Sequence, residues 1–165
     1  MRILKGLPRA LTIAVAALLL GACGFQLQGR AKLPDPLSRA YVDAPDRQSD
    51  FVQGLRKALI NSGAELVKQR DSASAVVQIL EDEVTTRILT VSANNLPRDY
   101  EVTYTVRFAV RASDQEILSP QKLSVSRDYS FDERMLLAKE NEEAVLREGL
   151  ARDLVGLVMR RLSSL

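Results

Sequence analysis

Between Tyr100 and Arg111 the chain alternates without a break. Tyr100, Val102, Tyr104, Val106, Phe108 and Val110 fall on one side, and Glu101, Thr103, Thr105, Arg107 and Arg111 on the other. A period of two sustained over that length is a β-strand with one buried and one polar face. A sheet built on such a strand needs an apolar layer over one face only, which restricts the chain to two-layer folds.

The flanking segments supply both layers. Ala75 to Leu80 is apolar and β-branched, and the strand continues past Glu81-Asp82-Glu83 into Thr85 to Val91. Asn94-Asn95-Leu96-Pro97 reads as a turn. Lys122 to Phe131 alternates again, with Leu123, Val125, Tyr129 and Phe131 on its apolar side and Arg127 interrupting it. Ser38 to Val42 reads as a short first strand, and Glu65-Leu66-Val67 as a brief extended segment. Phe51, Leu55, Ala58 and Leu59 recur at helical spacing, with Ser49 or Asp50 able to cap the start and Gly63 the end. A second, longer helix runs from about Asp132 to Leu162, with Leu146, Leu150, Leu154, Leu157 and Val158 as its stripe and Arg160-Arg161 at its end. The expected fold is α+β: a two-layer sandwich, with a four-stranded, mostly antiparallel sheet covered by two helices in the order β-α-β-β-β-α. It occupies one domain, 37–165, after a tether over 23–36.

The first 22 residues read as a lipoprotein signal peptide. A basic stretch ends at Arg9, and Ala10 to Leu20 is apolar but too short to span a bilayer. Leu20-Gly21-Ala22-Cys23 then has the form of a lipobox. The expected modification is a diacylglycerol on the Cys23 thiol and an acyl chain on its freed amine; two or more chains anchor stably where one does not. No other cofactor is expected. Gly24, where an aspartate would resemble an inner-membrane retention signal, favours the outer membrane.

The chain has 23 basic and 21 acidic residues. Three of the basic ones (Arg2, Lys5, Arg9) lie in the leader, which leaves 20 against 21 in the remainder. A nucleic-acid binder would show a basic surplus. There is no histidine, so the commonest general base and most zinc sites are missing. The carboxylate groupings Glu81/Asp82/Glu83, Asp132/Glu133 and Glu140/Glu142/Glu143 read as solvated surface, and no spacing singles out a Ser-Lys nucleophile pair. A non-enzymatic protein is expected. Arg107 and Arg111 on one strand, Arg98 at the preceding turn and Lys139 near the second helix could meet the phosphates of a lipid. The competing reading is a charged sheet face balanced by Glu101 and nearby acids. Thr103, Thr105, Arg107, Ser124 and Ser126 form a polar face of the kind that suits the water-filled lumen of an outer-membrane barrel.

Cys23-Gly24-Phe25-Gln26-Leu27-Gln28-Gly29 resembles the opening of the LptE family of lipopolysaccharide-assembly lipoproteins. Leu137-Ala138-Lys139-Glu140-Asn141-Glu142-Glu143 is similar to a second family segment, and the element order agrees. The resemblance runs from Cys23 to about Leu162. It implies a complex with the large LptD barrel, which the lipoprotein plugs and helps to assemble, and which inserts lipopolysaccharide into the outer leaflet. It also implies direct contact with lipopolysaccharide through basic residues. Lys139 falls on a family basic position. In the loop between the second and third strands, Ala93 stands where some members carry arginine, with Arg98 further along. The alternative is an outer-membrane lipoprotein on the periplasmic face that binds lipid or cell-wall components without a barrel partner.

Overall fold

A computed structural model of the chain describes residues 33–93, 95–113, 115–130 and 136–165, with side chains in the last stretch described from Glu142 onward. The leader, the tether up to Lys32 and the Phe131–Met135 connection lie outside the described residues. The elements are β1 (Arg39–Asp43), α1 (Asp50–Asn61), β2 (Glu65–Leu66), β3 (Ala75–Val91), β4 (Pro97–Ala112), β5 (Gln115–Ser130) and α2 (Leu136–Leu162). Two short 3-10 turns, Asp35–Ser38 and Arg70–Ser72, flank β1 and precede β3.

The α+β class and the two covering helices agree with the sequence reading, but the sheet differs. It has five strands in the order β2-β1-β3-β4-β5. It is mixed: β1 runs parallel to both β2 and β3, whereas β3, β4 and β5 are antiparallel. The expected four-stranded, mostly antiparallel sheet is corrected on both counts. The parallel pairing follows from the crossover: a strand, a helix and a return strand bring the chain back in its original direction. The fifth strand is only Glu65–Leu66, too short for a periodicity to show.

From Asp99 to Ala112, β4 keeps its alternation throughout. Its neighbours absorb the irregularities, β3 with extra residues at Leu80 and Leu89 and β5 with extra residues near Ile117 and Ser119-Pro120. Val102, Tyr104, Val106, Phe108 and Val110 are therefore all buried. They meet Phe51, Leu55 and Leu59 of α1 and Leu150, Leu154, Val158 and Leu162 of α2 in one core. Fully burying a leucine or phenylalanine side chain stabilises by about 1.5–3 kcal/mol, so this face supplies most of the driving force. Arg127, the one charged residue on the apolar side of β5, bonds Asp153 of α2 at 2.6 Å.

Both ends of α1 are tied down. Ser49, not Asp50, is the cap: its hydroxyl accepts from the Val52 N–H at 3.1 Å. The same hydroxyl donates to the Asp82 carboxylate of β3 at 2.5 Å. The buried Tyr104 phenol lies close to Asp82 and to the start of α1. One of the free N–H groups at the helix start is thus closed by a hydroxyl that is itself held by a carboxylate of the sheet. Burial first, and then Asp82, push the Tyr104 phenol well above its ordinary titration range. At the other end Gly63 (φ +94°) follows the helix. Its N–H bonds the Ile60 carbonyl at 2.9 Å, and the Ala64 N–H bonds that of Leu59 at 3.0 Å, the Schellman arrangement.

Candidate functional site

The sheet's second face has no layer over it among the described residues. The registers align its side chains in rows: Glu81, Arg107 and Lys122; Glu83, Thr105 and Ser124; Thr85, Thr103 and Ser126; Arg87, Glu101 and Asp128. The Thr105 and Ser124 hydroxyls bond each other at 2.9 Å, and those of Thr103 and Ser126 at 2.8 Å. Ion pairs close both ends of this hydroxyl patch. Glu81 takes Lys122 at 2.9 Å and Arg107 at 3.5 Å, and Arg87 grips both oxygens of Glu101 at 2.8 and 3.1 Å. The bond from Lys122 holds the Glu81 carboxyl below its usual range, and the bond from Arg87 does the same for Glu101. The result is a flat polar surface whose charges are largely compensated internally. The five residues expected to form a hydrophilic contact surface (Thr103, Thr105, Arg107, Ser124 and Ser126) lie together on it.

The expected basic residues are spread out. Arg107 and Arg111 share this face but stand four residues apart, about 13 Å at strand spacing. Arg111 lies at the end where β4 leaves the sheet, beside an open cleft of about 320 Å³ that Arg70 and Ser74 also line. Arg98 is exposed at the opposite end of β4, at an irregularity in its pairing with β3. It stands about 40 Å from Arg111 along the strand. Lys139 is in the first turns of α2, and its side chain lies outside the described residues, as does Cys23.

One feature near Arg98 was not singled out in the sequence. At about 3.3 Å per residue the 17 residues of β3 span roughly 55 Å. The 12 residues of α1 span about 18 Å. The β3–β4 hairpin reaches well beyond α1, and Ile88, Leu89, Val91 and Leu96 are exposed near its tip. Tyr100 and Tyr129 stack at the border, with ring centroids 5.2 Å apart. Asp99 braces the tip by accepting from Ser130 at 2.7 Å and from the Thr90 hydroxyl; these two bonds hold its carboxyl low. The turn closes with Asn95 in the left-handed region (φ 62°). A protruding ribbon with apolar side chains beside an arginine is an amphiphilic contact element. The sequence signal was the apolar run Ile88-Leu89-Thr90-Val91 set against the short first helix.

The family model for LptE, described as lipopolysaccharide-assembly, matches residues 37–162. Over 155 residues the chain is 22% identical to the LPS-assembly lipoprotein LptE of Pectobacterium atrosepticum, covering 92% of this chain and 83% of that protein. It is 23% identical over 154 residues to the LPS-assembly lipoprotein LptE of Yersinia enterocolitica, covering 92% and 73%. The solution structure of an uncharacterized lipoprotein B from Nitrosomonas europaea superposes with a TM-score of 0.71 at 27% identity, covering 86% of this chain and 91% of that one.

Proposed function

This chain belongs to the LptE lipopolysaccharide-assembly family, and from that premise we propose that it is a lipid-anchored outer-membrane protein that plugs an LptD-type barrel. In that role it assists the barrel's assembly and the insertion of lipopolysaccharide into the outer leaflet, without catalysing a reaction. The observation that carries this reading is the uncovered sheet face, with its hydroxyl rows and internally paired charges. A barrel lumen is polar and water-lined. A surface entering it must offer hydrogen bonds while bringing few uncompensated charges into a confined space, because an unpaired desolvated charge is costly. Arg107, Glu81 and Lys122 meet that condition as a group, as do Arg87 and Glu101.

Cys23 would carry the acyl chains. Leu33 lies ten residue steps beyond it, a reach of about 33–36 Å when extended, so the domain can sit well inside a barrel while its anchor stays in the bilayer. Lipopolysaccharide contact falls to Arg98 with the apolar hairpin tip and to Lys139, the guanidinium pairing phosphate in two-pronged fashion and the ammonium acting as a point charge. Arg107 and Arg111 would serve the same ligand only from the open face.

Photo-crosslinking in intact cells tests the placement. A photoreactive residue at Thr105, on the open face, should yield one crosslinked band at the mass of a large barrel protein. The same residue at Gln53, on α1, should yield much less. Equal yields from both positions, or no barrel band from Thr105, would remove the plug reading and bring forward the periplasmic-face lipoprotein that binds lipid or cell-wall components alone.

A further inference from the structure

Among the described residues β5 pairs with a strand on one side only, so its outer edge presents free backbone donors and acceptors. Such an edge is a template for another strand unless something blunts it. The half near the β4–β5 turn is blunted, by Pro120 and by the irregularities at Ile117 and Ser119-Pro120. The other half is not. From Gln121 to Ser130 the register with β4 is unbroken.

That half has a symmetry of its own, over and above the bonds its side chains make within the chain. Lys122, Ser124, Ser126 and Asp128 lie on the open face, symmetric about Val125. If a second β5 is laid antiparallel against it with Val125 facing Val125, Lys122 stands opposite Asp128 at both ends, and Ser124 opposite Ser126. Within one chain, moreover, Asp128 is poorly served. It stands directly opposite Glu101, a like charge, and cross-strand like charges destabilise. Arg87 is within electrostatic reach of Asp128 but spends both its bonds on Glu101. A cation arriving from beyond the edge would resolve the conflict. Lys122 has three donors and commits one to Glu81.

We propose that the β5 edge, from Gln121 to Tyr129, is a self-association surface whose partner is a second copy of this chain, paired antiparallel about Val125 with reciprocal Lys122–Asp128 contacts. The sheets of the two copies then form one continuous ten-stranded sheet. Lys122, Ser124 and Ser126 belong both to this edge and to the open face, so self-association and barrel entry are alternative states of the chain.

The test uses the full chain, purified in detergent, with sedimentation velocity followed over a wide concentration range. The wild type should dimerise. Lys122→Asp and Asp128→Lys should each weaken the dimer by roughly tenfold or more, since each change turns two attractive pairs repulsive. Far-ultraviolet circular dichroism checks that both variants stay folded. The decisive arm is complementation: an equimolar mixture of the two single variants should form a heterodimer, and the double variant should dimerise like the wild type. A wild type that stays monomeric overturns the proposal. So does a dimer indifferent to both substitutions, or one that neither the mixture nor the double variant restores.

Discussion

Replacing Asp82 with alanine should destabilise the domain far more than its half-exposed position on β3 suggests. The carboxylate accepts from Ser49, which caps α1, and lies beside the phenol of Tyr104, which is only 2% exposed. Hydrogen bonds to a charged group contribute about 1.5–3 kcal/mol each, and a buried hydroxyl left without its acceptor costs about 1–3 kcal/mol. Counting the Ser49 bond and the loss of a polar neighbour for the buried Tyr104 phenol, discounted for partial exposure, the expected loss is about 2–3 kcal/mol. With a urea m-value near 1.5 kcal/mol/M, the midpoint should fall by roughly 2 M. Tyr104→Phe and Ser49→Ala should each cost less, about 1–2 kcal/mol. The double variant Asp82→Ala with Ser49→Ala should lose about 1 kcal/mol less than the two single losses added, because both remove the same bond. Equilibrium unfolding by urea, followed by tyrosine fluorescence and by circular dichroism together, measures all four. An Asp82→Ala loss below about 0.5 kcal/mol, or strict additivity with Ser49→Ala, would refute the idea that the Asp82 carboxylate pins α1 to the sheet.

Other perturbations follow from the same contacts. Gly63→Ala places a Cβ at φ +94° and should cost about 1–2 kcal/mol in the same unfolding assay. The depressed carboxyls of Glu81 and Glu101 contribute stability that is present above their ordinary value of 4.5 and is lost as the pH falls through their lower folded values. Glu81→Gln should accordingly flatten the fall of stability below pH 4.5, as read from urea midpoints at stepped pH. Cys23→Ala should leave the protein unacylated and free of the membrane pellet if it is still exported, whereas a correctly processed, membrane-bound variant would exclude the lipobox reading. Lys139→Asp should weaken lipopolysaccharide binding in a titration without changing the circular dichroism spectrum; unchanged binding would make Lys139 an ordinary solvated helix residue.

What could be read from the chain depended on how local the governing contacts are. β4 was legible because every second residue enters the same core, and its irregularities are borne by neighbouring strands. β3 was legible past its three acids because the strand resumes its pattern after the extra residue at Leu80. The start of β5 was not: two irregularities between Glu116 and Gln121 scramble the alternation, so the strand is recognisable only from Lys122. Arg127 interrupts an apolar row, and its partner Asp153 arrives only 26 residues later on another element. The open face was legible in composition but not in its electrostatics, since the pairing of Arg107 with Glu81 depends on register. For the same reason the three arginines Arg98, Arg107 and Arg111, which look like a cluster on paper, are distributed from one end of β4 to the other. The protruding hairpin was implicit in the length of β3, yet its exposure depends on how far the helices reach along it.

The most direct test of the central claim is affinity purification of the tagged protein from detergent-solubilised outer membranes, with the co-purifying proteins identified and their stoichiometry measured. The account predicts a single large barrel protein at one copy per copy of this chain, retained at salt concentrations that strip surface ion pairs. Recovery of the chain with no barrel, or with a cell-wall enzyme in its place, would contradict it.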